Sequence, residues 1–507
     1  MELNWVRKIR RLADQLKREP VGAALVSLVC DSAVYSIGGL LIGLGSIILL
    51  PLYTRTLGPR EFGVYALVDV TILLIVSVTA LKLDVSYLKW FAELDPARHP
   101  QLLGTTLCAG LVASTLGGIA LFLVVASRFG DGWLHFSGKS FAWMLLPIVL
   151  LENLQALLLT DLRARRRAVL YSTAAIVRLA IMVVVSYYLL VVQQAGLPGL
   201  FLGRLAGVAA AVLFLGAIGF RSVLFRFSPS LLLPMLRFGA PLVWSILAVT
   251  LQDASGRYFL THYGSLEEVG LLGAAIKIGG LFQMLVSVPF GVAWSGVLFQ
   301  IVKEREGQVI YSKILGYVYV LALSVALVLS IFASTIFSIF TAPAYYAATT
   351  ALPLVLLVRA MAVIEQPASA GVYVSGRTDL LAISYTAALG VNLLLLRLLV
   401  PRFGLMGTAW AWLVGSAVVP CLFLVFGQRR YRLSFHLKLL LVPVVLWATV
   451  LLLKPAFEAL FAAHRILLQS GLSLAVLLLI APLLINDFRS LRRIGGPSST
   501  VLEVSSR

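Results

Sequence analysis

The segment LPIVLLEN, Leu146–Asn153, returns 206 positions later as LPLVLLVR, Leu352–Arg359. The proline and the Val-Leu-Leu run keep their places. Each copy closes on polar residues, Glu152 and Asn153 in the first and Arg359 in the second. Two further pairs share nearly the same offset. YTRTLGPREFG resembles FLTHYGSLEEVG, with Gly58 opposite Gly264 and Gly63 opposite Gly270. GLPGLFLGRLAG resembles GLMGTAWAWLVG, with Gly196, Gly199 and Gly207 opposite Gly404, Gly407 and Gly415. Leu-rich segments resemble one another by chance, but three matches at one offset, with shared turn glycines and a proline, argue for an internal duplication.

The composition says what kind of unit is duplicated. Of 507 residues, 60% are apolar and 12% charged, and the mean hydropathy is +0.98. One soluble core cannot hide so much apolar surface, and apolar runs long enough to span a bilayer recur along the chain. The expected class is an all-α polytopic membrane protein, because a helix satisfies its own backbone groups in lipid. Fourteen spans are read, centred near residues 42, 73, 114, 151, 181, 210, 251, 283, 326, 359, 390, 415, 446 and 475. Each repeat then holds six helices. Six is even, so the two copies share one sense across the membrane and form a parallel repeat.

The expected organisation is an amphipathic cytoplasmic segment over 1–20, a six-helix lobe over 21–222 and a second over 223–430. Two additional transmembrane helices over 431–487 and a cytoplasmic tail over 488–507 complete it. In the first segment Trp5, Ile9, Leu12 and Leu16 share a helical face, with Arg7, Lys8, Arg10, Arg11, Lys17 and Arg18 around the rest. That pattern suits an anionic leaflet. A signal peptide fits less well, because the apolar run from Val21 to Tyr53 is too long for a signal core.

The formal net charge is +19. The basic residues sit mostly between apolar spans, which favours the cytoplasmic bias of a membrane protein over nucleic-acid binding. Placing RKIRR, the Arg163–Arg167 run RARRR, VKERE and GQRRYR on one side puts both termini in the cytoplasm. Cys30, Cys108 and Cys421 lie far apart, and the five histidines form no ligand spacing, so neither a disulfide framework nor a metal site is expected.

Charges expected at membrane depth carry the functional reading. They are Asp69, Glu152, Arg178, Asp253, Arg257, Lys277, Arg359 and Glu365. A cationic side chain at mid-bilayer costs roughly 2.5–3.5 kcal/mol, so Arg178, Arg257, Lys277 and Arg359 together cost on the order of 10 kcal/mol. Such groups face water, each other or an anionic ligand. Asp253 and Arg257, four apart, can neutralise each other. Arg178 can pair with Glu152. Arg204, near the end of its span, is expected to snorkel. Lys277 and Arg359 have no evident partner on their own helices, which suits a wet cavity. Asp69 falls one position from Lys277 in the repeat, so one slot is acidic in one half and basic in the other. Fixed cations suit an anion, with arginine forks matching phosphate oxygens and lysine adding a point charge. The acids Asp69, Glu152, Asp253 and Glu365 could bind a coupling proton or sodium ion, and structural pairing explains them equally well.

Other chemistry is missing. SGKS at Ser137–Ser140 resembles the end of a P-loop, but Trp133 stands where its first glycine is required. No loop is long enough for a catalytic domain, and no cofactor is implied. A membrane glycosyltransferase or glycan polymerase would need acidic or arginine-rich catalytic loops outside, which the sequence lacks, so an enzyme is not expected.

PLYTRTLGPREFGVYAL, Pro51–Leu67, resembles the span 1–2 signature of bacterial polysaccharide transporters. These are the O-antigen-type lipid-linked oligosaccharide flippases of the multidrug/oligosaccharidyl-lipid/polysaccharide exporter superfamily. FGAPLVWSILAVTLQDASGRYFLTHYG, Phe238–Gly264, is similar to the start of their second lobe. The resemblance covers most of 30–430. It implies two lobes around a V-shaped cavity in the bacterial inner membrane. It also implies an undecaprenyl-diphosphate-linked oligosaccharide as cargo, with membrane lipids, a proton or sodium ion and other polysaccharide-assembly proteins as partners. Cavity cations would hold the diphosphate; by position these are Arg257, Lys277, Arg359 and Arg178, of which only Arg257 lies within a matched segment. A cation-coupled multidrug antiporter of the same superfamily is the alternative, and it predicts a cavity dominated by acids.

Overall fold

The computed structural model describes residues 45, 47–127, 138–219, 227–291, 294, 307–374, 377, 379–428, 442–450, 469–476 and 478. The expected amphipathic segment 1–20, most of the first span and the tail 488–507 lie outside the described residues. Of the last two expected spans, only 442–450 and 469–476 are described at any length, and both are helical.

The helices are α1 (Leu50–Thr56), α2 (Pro59–Thr79), α3 (Leu83–Glu93), α4 (His99–Ala126), α5 (Ala142–Ala164), α6 (Ala168–Tyr187) and α7 (Gly196–Gly219). They continue with α8 (Pro229–Tyr263), α9 (Leu266–Phe282), α10 (Gly307–Ile331), α11 (Ala333–Phe340), α12 (Leu352–Ala368), α13 (Ala370–Val374) and α14 (Asp379–Gln428). Among the described residues, ten helical stretches are long and apolar enough to cross a membrane. The protein is therefore an all-helical, multi-pass membrane protein. Apolar side chains face outward, as a lipid solvent requires: on α4, Val112, Leu116 and Leu123 are all exposed.

The 50-residue α14 would be about 75 Å long if straight, more than twice the thickness of the hydrocarbon layer. It is folded at Gly404, whose φ of 48° and ψ of −124° are not helical. Two of the expected spans, centred near 390 and 415, lie on either side of that turn. Gly196, its partner in the sequence repeat, opens α7 with φ 58°. Both turns use the left-handed region, which glycine enters without a Cβ penalty.

Starts of helices are marked locally. Pro59 opens α2 after Gly58, with Glu61 in its first turn. Ser265 caps α9 by accepting from the Glu268 amide. Proline at the first position and carboxylates in the first turn both favour helix initiation.

Packing divides the helices into neighbourhoods. α6 lies against α7, α4 against α5, and α5 against α7. In the later part of the chain α8 and α12 lie against α14, and α10 against α12. Ser255 on α8 donates to Asn392 on α14 at 3.0 Å, and the Trp412 indole donates to the Gln252 carbonyl at 2.7 Å. Between the two sets, α2 packs on α9. There the backbones almost touch. A Cβ on Gly63 would lie 1.8 Å from the Leu266 carbonyl oxygen, and one on Gly270 would lie 1.9 Å from that of Pro59. The contact is reciprocal: each glycine faces the carbonyl of the residue that opens the other's helix, a local two-fold relation at this crossing.

The end of the bundle at which α2 and α9 begin is stitched together. Fully buried Tyr345, in the turn that follows α11, donates to the Leu57 carbonyl at 3.0 Å, and its ring meets Phe62 edge-on. The Ala342 amide donates to Thr54 at 3.3 Å. Toward the opposite end, α3 meets the beginning of α8 through Ser86, which donates to the Met235 carbonyl at 2.9 Å.

Candidate functional site: a charge network lining a cleft

Close approach of α6 and α7 builds the site. A Cβ at Gly207 would sit 2.8 Å from the Arg178 carbonyl, and one at Gly203 would strike Ser186. These two glycines bring the α6 and α7 backbones near enough for an arginine from each to reach the same carboxylate on α5. Arg178 donates to Glu152 at 3.1 Å, and Arg204 donates to the same Glu152 oxygen at 2.9 Å. Arg178 also donates to Gln155 at 2.7 Å. From Arg204 the network crosses to α2, where Nη1 meets Asp69 at 2.5 Å. The other Asp69 oxygen takes Lys277 of α9 at 3.1 Å. Lys277 also lies 5.4 Å from the Tyr65 ring centroid.

One polar chain thus runs Gln155, Arg178, Glu152, Arg204, Asp69, Lys277, through five helices. It holds three cations against two carboxylates. All five charged side chains retain between 13% and 26% exposure, so they are half-buried rather than sealed. The network borders a cleft of about 700 Å³ of empty space, lined also by Leu49, Tyr53, Tyr65 and Met182.

Arg204 corrects the sequence reading. Expected to snorkel, it instead links Asp69 to Glu152 at the centre of the network. Its place near the end of an apolar run hid this, because its partners come from helices distant in sequence. Lys277, without a partner on its own helix, finds one on α2. Arg178 meets Glu152, one of the two arrangements open to it. Asp253 and Arg257, on the other hand, are joined by no ion pair among the described residues. Arg257 and Arg359 are electrostatic neighbours, with Asp69 and Asp253 close by. The Nε of each of the two arginines is buried without a hydrogen-bond partner. Glu365 stands apart from the network and accepts a hydrogen bond from the Tyr385 hydroxyl on α14.

Asp69 and Glu152 are thus each engaged by two cations, whereas Asp253 and Glu365 are in no ion pair among the described residues. No group of three or more metal-ligating side chains occurs among those residues either.

The signature of the polysaccharide biosynthesis proteins matches residues 28–302. The chain belongs to that family. Its signature covers α1 through α9, and so includes Asp69, Glu152, Arg178, Arg204, Arg257 and Lys277. No curated protein matches the chain in sequence. Solved structures match in fold. The lipid II flippase MurJ, in an inward closed conformation, is 13% identical, with a TM-score of 0.69, over 91% of this chain and 99% of that one. An inward-facing multidrug resistance transporter of the MATE family is 16% identical, with a TM-score of 0.65, over 80% of this chain and 98% of that one. A MOP-superfamily transporter from Pyrococcus furiosus is 15% identical, with a TM-score of 0.51, over 80% and 95%. This member of the polysaccharide biosynthesis family therefore has the MOP-superfamily fold.

Proposed function

We propose that the protein is a flippase that carries an undecaprenyl-diphosphate-linked oligosaccharide from the cytoplasmic to the periplasmic leaflet of a bacterial inner membrane, for surface-polysaccharide assembly. One observation carries the reading. Lys277, Arg204 and Arg178 outnumber the carboxylates they meet, and Arg257 and Arg359 add two cations that are in no ion pair among the described residues. A half-buried excess of positive charge at membrane depth is costly unless an anion compensates it. A diphosphate supplies the anion, and its lipid tail remains in the bilayer.

Residues 21–222 and 223–430 form the two moving lobes in this reading, with the α2–α9 crossing as the pivot between them. Basic loops such as Arg163–Arg167 place their end in the cytoplasm. The stitched Tyr345 end then faces the periplasm, an arrangement suited to taking cargo from the cytoplasmic leaflet. Arg257, Arg359, Lys277 and Arg178 contact the diphosphate and its first sugars. Arg204 positions Asp69 and Glu152 rather than meeting cargo. Of the four acids, Asp253 and Glu365 are in no ion pair among the described residues and suit a coupling proton or sodium ion best.

The likeness to the MATE transporter supports a second reading, cation-coupled drug export. The excess of cations over acids at the cleft weighs against it. The Pyrococcus relative is described as having a pocket of reverse polarity that suggests a different function, and pocket charge is the property that separates our two readings. The test uses vesicles containing the purified protein and a fluorescent undecaprenyl-diphosphate-linked disaccharide. Its appearance in the far leaflet is read with a membrane-impermeant quencher. Transfer no faster than in protein-free vesicles, from either leaflet, overturns the flippase reading.

A further inference from the structure

A second cavity, with about 1060 Å³ of empty space, lies beyond the charge network and separate from it. We propose that it seats the glycan of the lipid-linked cargo, a proposal that rests on the flippase reading above. Three helices agree on its place. On α2 it begins at Val76, seven residues past Asp69, or about 10 Å along the axis. On α5 it runs from Asn153, next to Glu152, to Arg163. On α6, which runs the opposite way, it is reached at Tyr171, seven residues before Arg178. Cargo whose diphosphate lies in the first cleft would therefore extend its sugars into this cavity, toward the Arg163–Arg167 loop.

The lining fits a sugar better than a phosphate. Lys82, Asp84 and Arg163 surround it, and none is in an ion pair among the described residues. One oxygen of Asp84 is buried without a hydrogen-bond partner. A carboxylate that shares a lining with two cations accepts from sugar hydroxyls while the cations donate to others; the same carboxylate repels a phosphate. Ile246 and Leu157 supply apolar wall for the C–H face of a ring. The backbone is also bent to make this lining. Leu81 and Lys82 have φ of 49° and 51°, in the left-handed region. A side chain at Cβ disfavours that region, and here two consecutive non-glycine residues hold it. This break between α2 and α3 is where Lys82 and Asp84 enter the cavity. Strain held at a polar cavity is the pattern of a functional site rather than of packing.

The test measures affinity of the full-length protein in nanodiscs for three probes: bare undecaprenyl diphosphate, and the same lipid bearing a disaccharide of glucose or of N-acetylglucosamine. Two charge-assisted hydrogen bonds predict that at least one glycosylated probe binds the wild type about ten-fold tighter than the bare lipid. Asp84→Asn, Arg163→Gln and Lys82→Gln should each shrink that gain to within about two-fold and leave bare-lipid affinity unchanged. The unchanged affinity also shows that the variants are folded, and three separate variants keep one misfolded protein from deciding the result. Absence of any gain with both glycans, or a gain that survives all three substitutions, overturns the proposal. So does a parallel fall in bare-lipid affinity, which would make the cavity a phosphate station. If the wild type binds none of the probes, the flippase reading itself has failed.

Discussion

Asp69 on α2 and Lys277 on α9 meet at 3.1 Å, although the repeat sets them only one position apart in equivalent helices. The pair sets an acid on α2 against a base on α9 and so bonds the two helices across their crossing. A double-mutant cycle with Asp69→Asn and Lys277→Gln should show a coupling of about 1–3 kcal/mol in unfolding free energy. Asp69→Asn should be the more damaging single change, because it leaves Arg204 and Lys277 together without their shared carboxylate. Strictly additive effects would mean the pair contributes nothing beyond its two separate charges.

Gly63→Ala and Gly270→Ala should each reduce the yield of folded protein sharply. The added methyl meets a carbonyl oxygen at 1.8 or 1.9 Å, and a backbone atom cannot swing aside. Forcing α2 from α9 costs about 1–3 kcal/mol or more. Gly58→Ala, where nothing lies within 4 Å, is the matched control and should retain normal yield. Thermal stability in detergent, followed by size-exclusion, separates the cases.

Arg204 and Arg257 should part company on mutation. Arg204→Gln leaves Asp69 and Glu152 each short of one cation and should destabilise the fold by about 3 kcal/mol. Arg257→Gln and Arg359→Gln break no ion pair among the described residues, so their folded yield should stay within a factor of two of wild type while lipid transfer in vesicles falls about ten-fold or more. Full transfer by the Arg257→Gln/Arg359→Gln double variant would remove both residues from the cargo site.

Glu365→Gln tests coupling. The amide keeps the size of the side chain and can still accept from Tyr385, so folding should be preserved. If Glu365 carries the coupling ion, the variant should bind the diphosphate lipid with wild-type affinity yet lose at least about 80% of the transfer driven by a proton or sodium gradient. Unaltered gradient dependence would assign coupling elsewhere, with Asp253 the next residue to change.

Much of the fold was legible in the chain. Apolar length alone announces helices, and those centred near residues 73 to 415 correspond to described helices. Gly196 and Gly404 marked equivalent turns before their φ angles were known, because a positive φ is a property that one residue type supplies cheaply. The charged positions were legible too, since a charge inside an apolar run stands out at once. Their partners were not. Asp69 touches Arg204 from 135 positions away and Lys277 from 208. No local pattern encodes such distances. Arg204 was misread for this reason, and the cavity at Asp84 was not foreseen because its lining comes from six helices.

The sequence by itself determined that this is a helical, multi-pass membrane protein with charges set inside its apolar runs, since hydrophobic run length and charge position act locally and can be read residue by residue. Tertiary structure alone decided which cations are neutralised and which stay outside ion pairs. Coulombic pairing depends on distance in space, and only the packing of α2, α5, α6, α7 and α9 brings Asp69 and Glu152 to Arg204, while Arg257 and Arg359 are in no ion pair among the described residues.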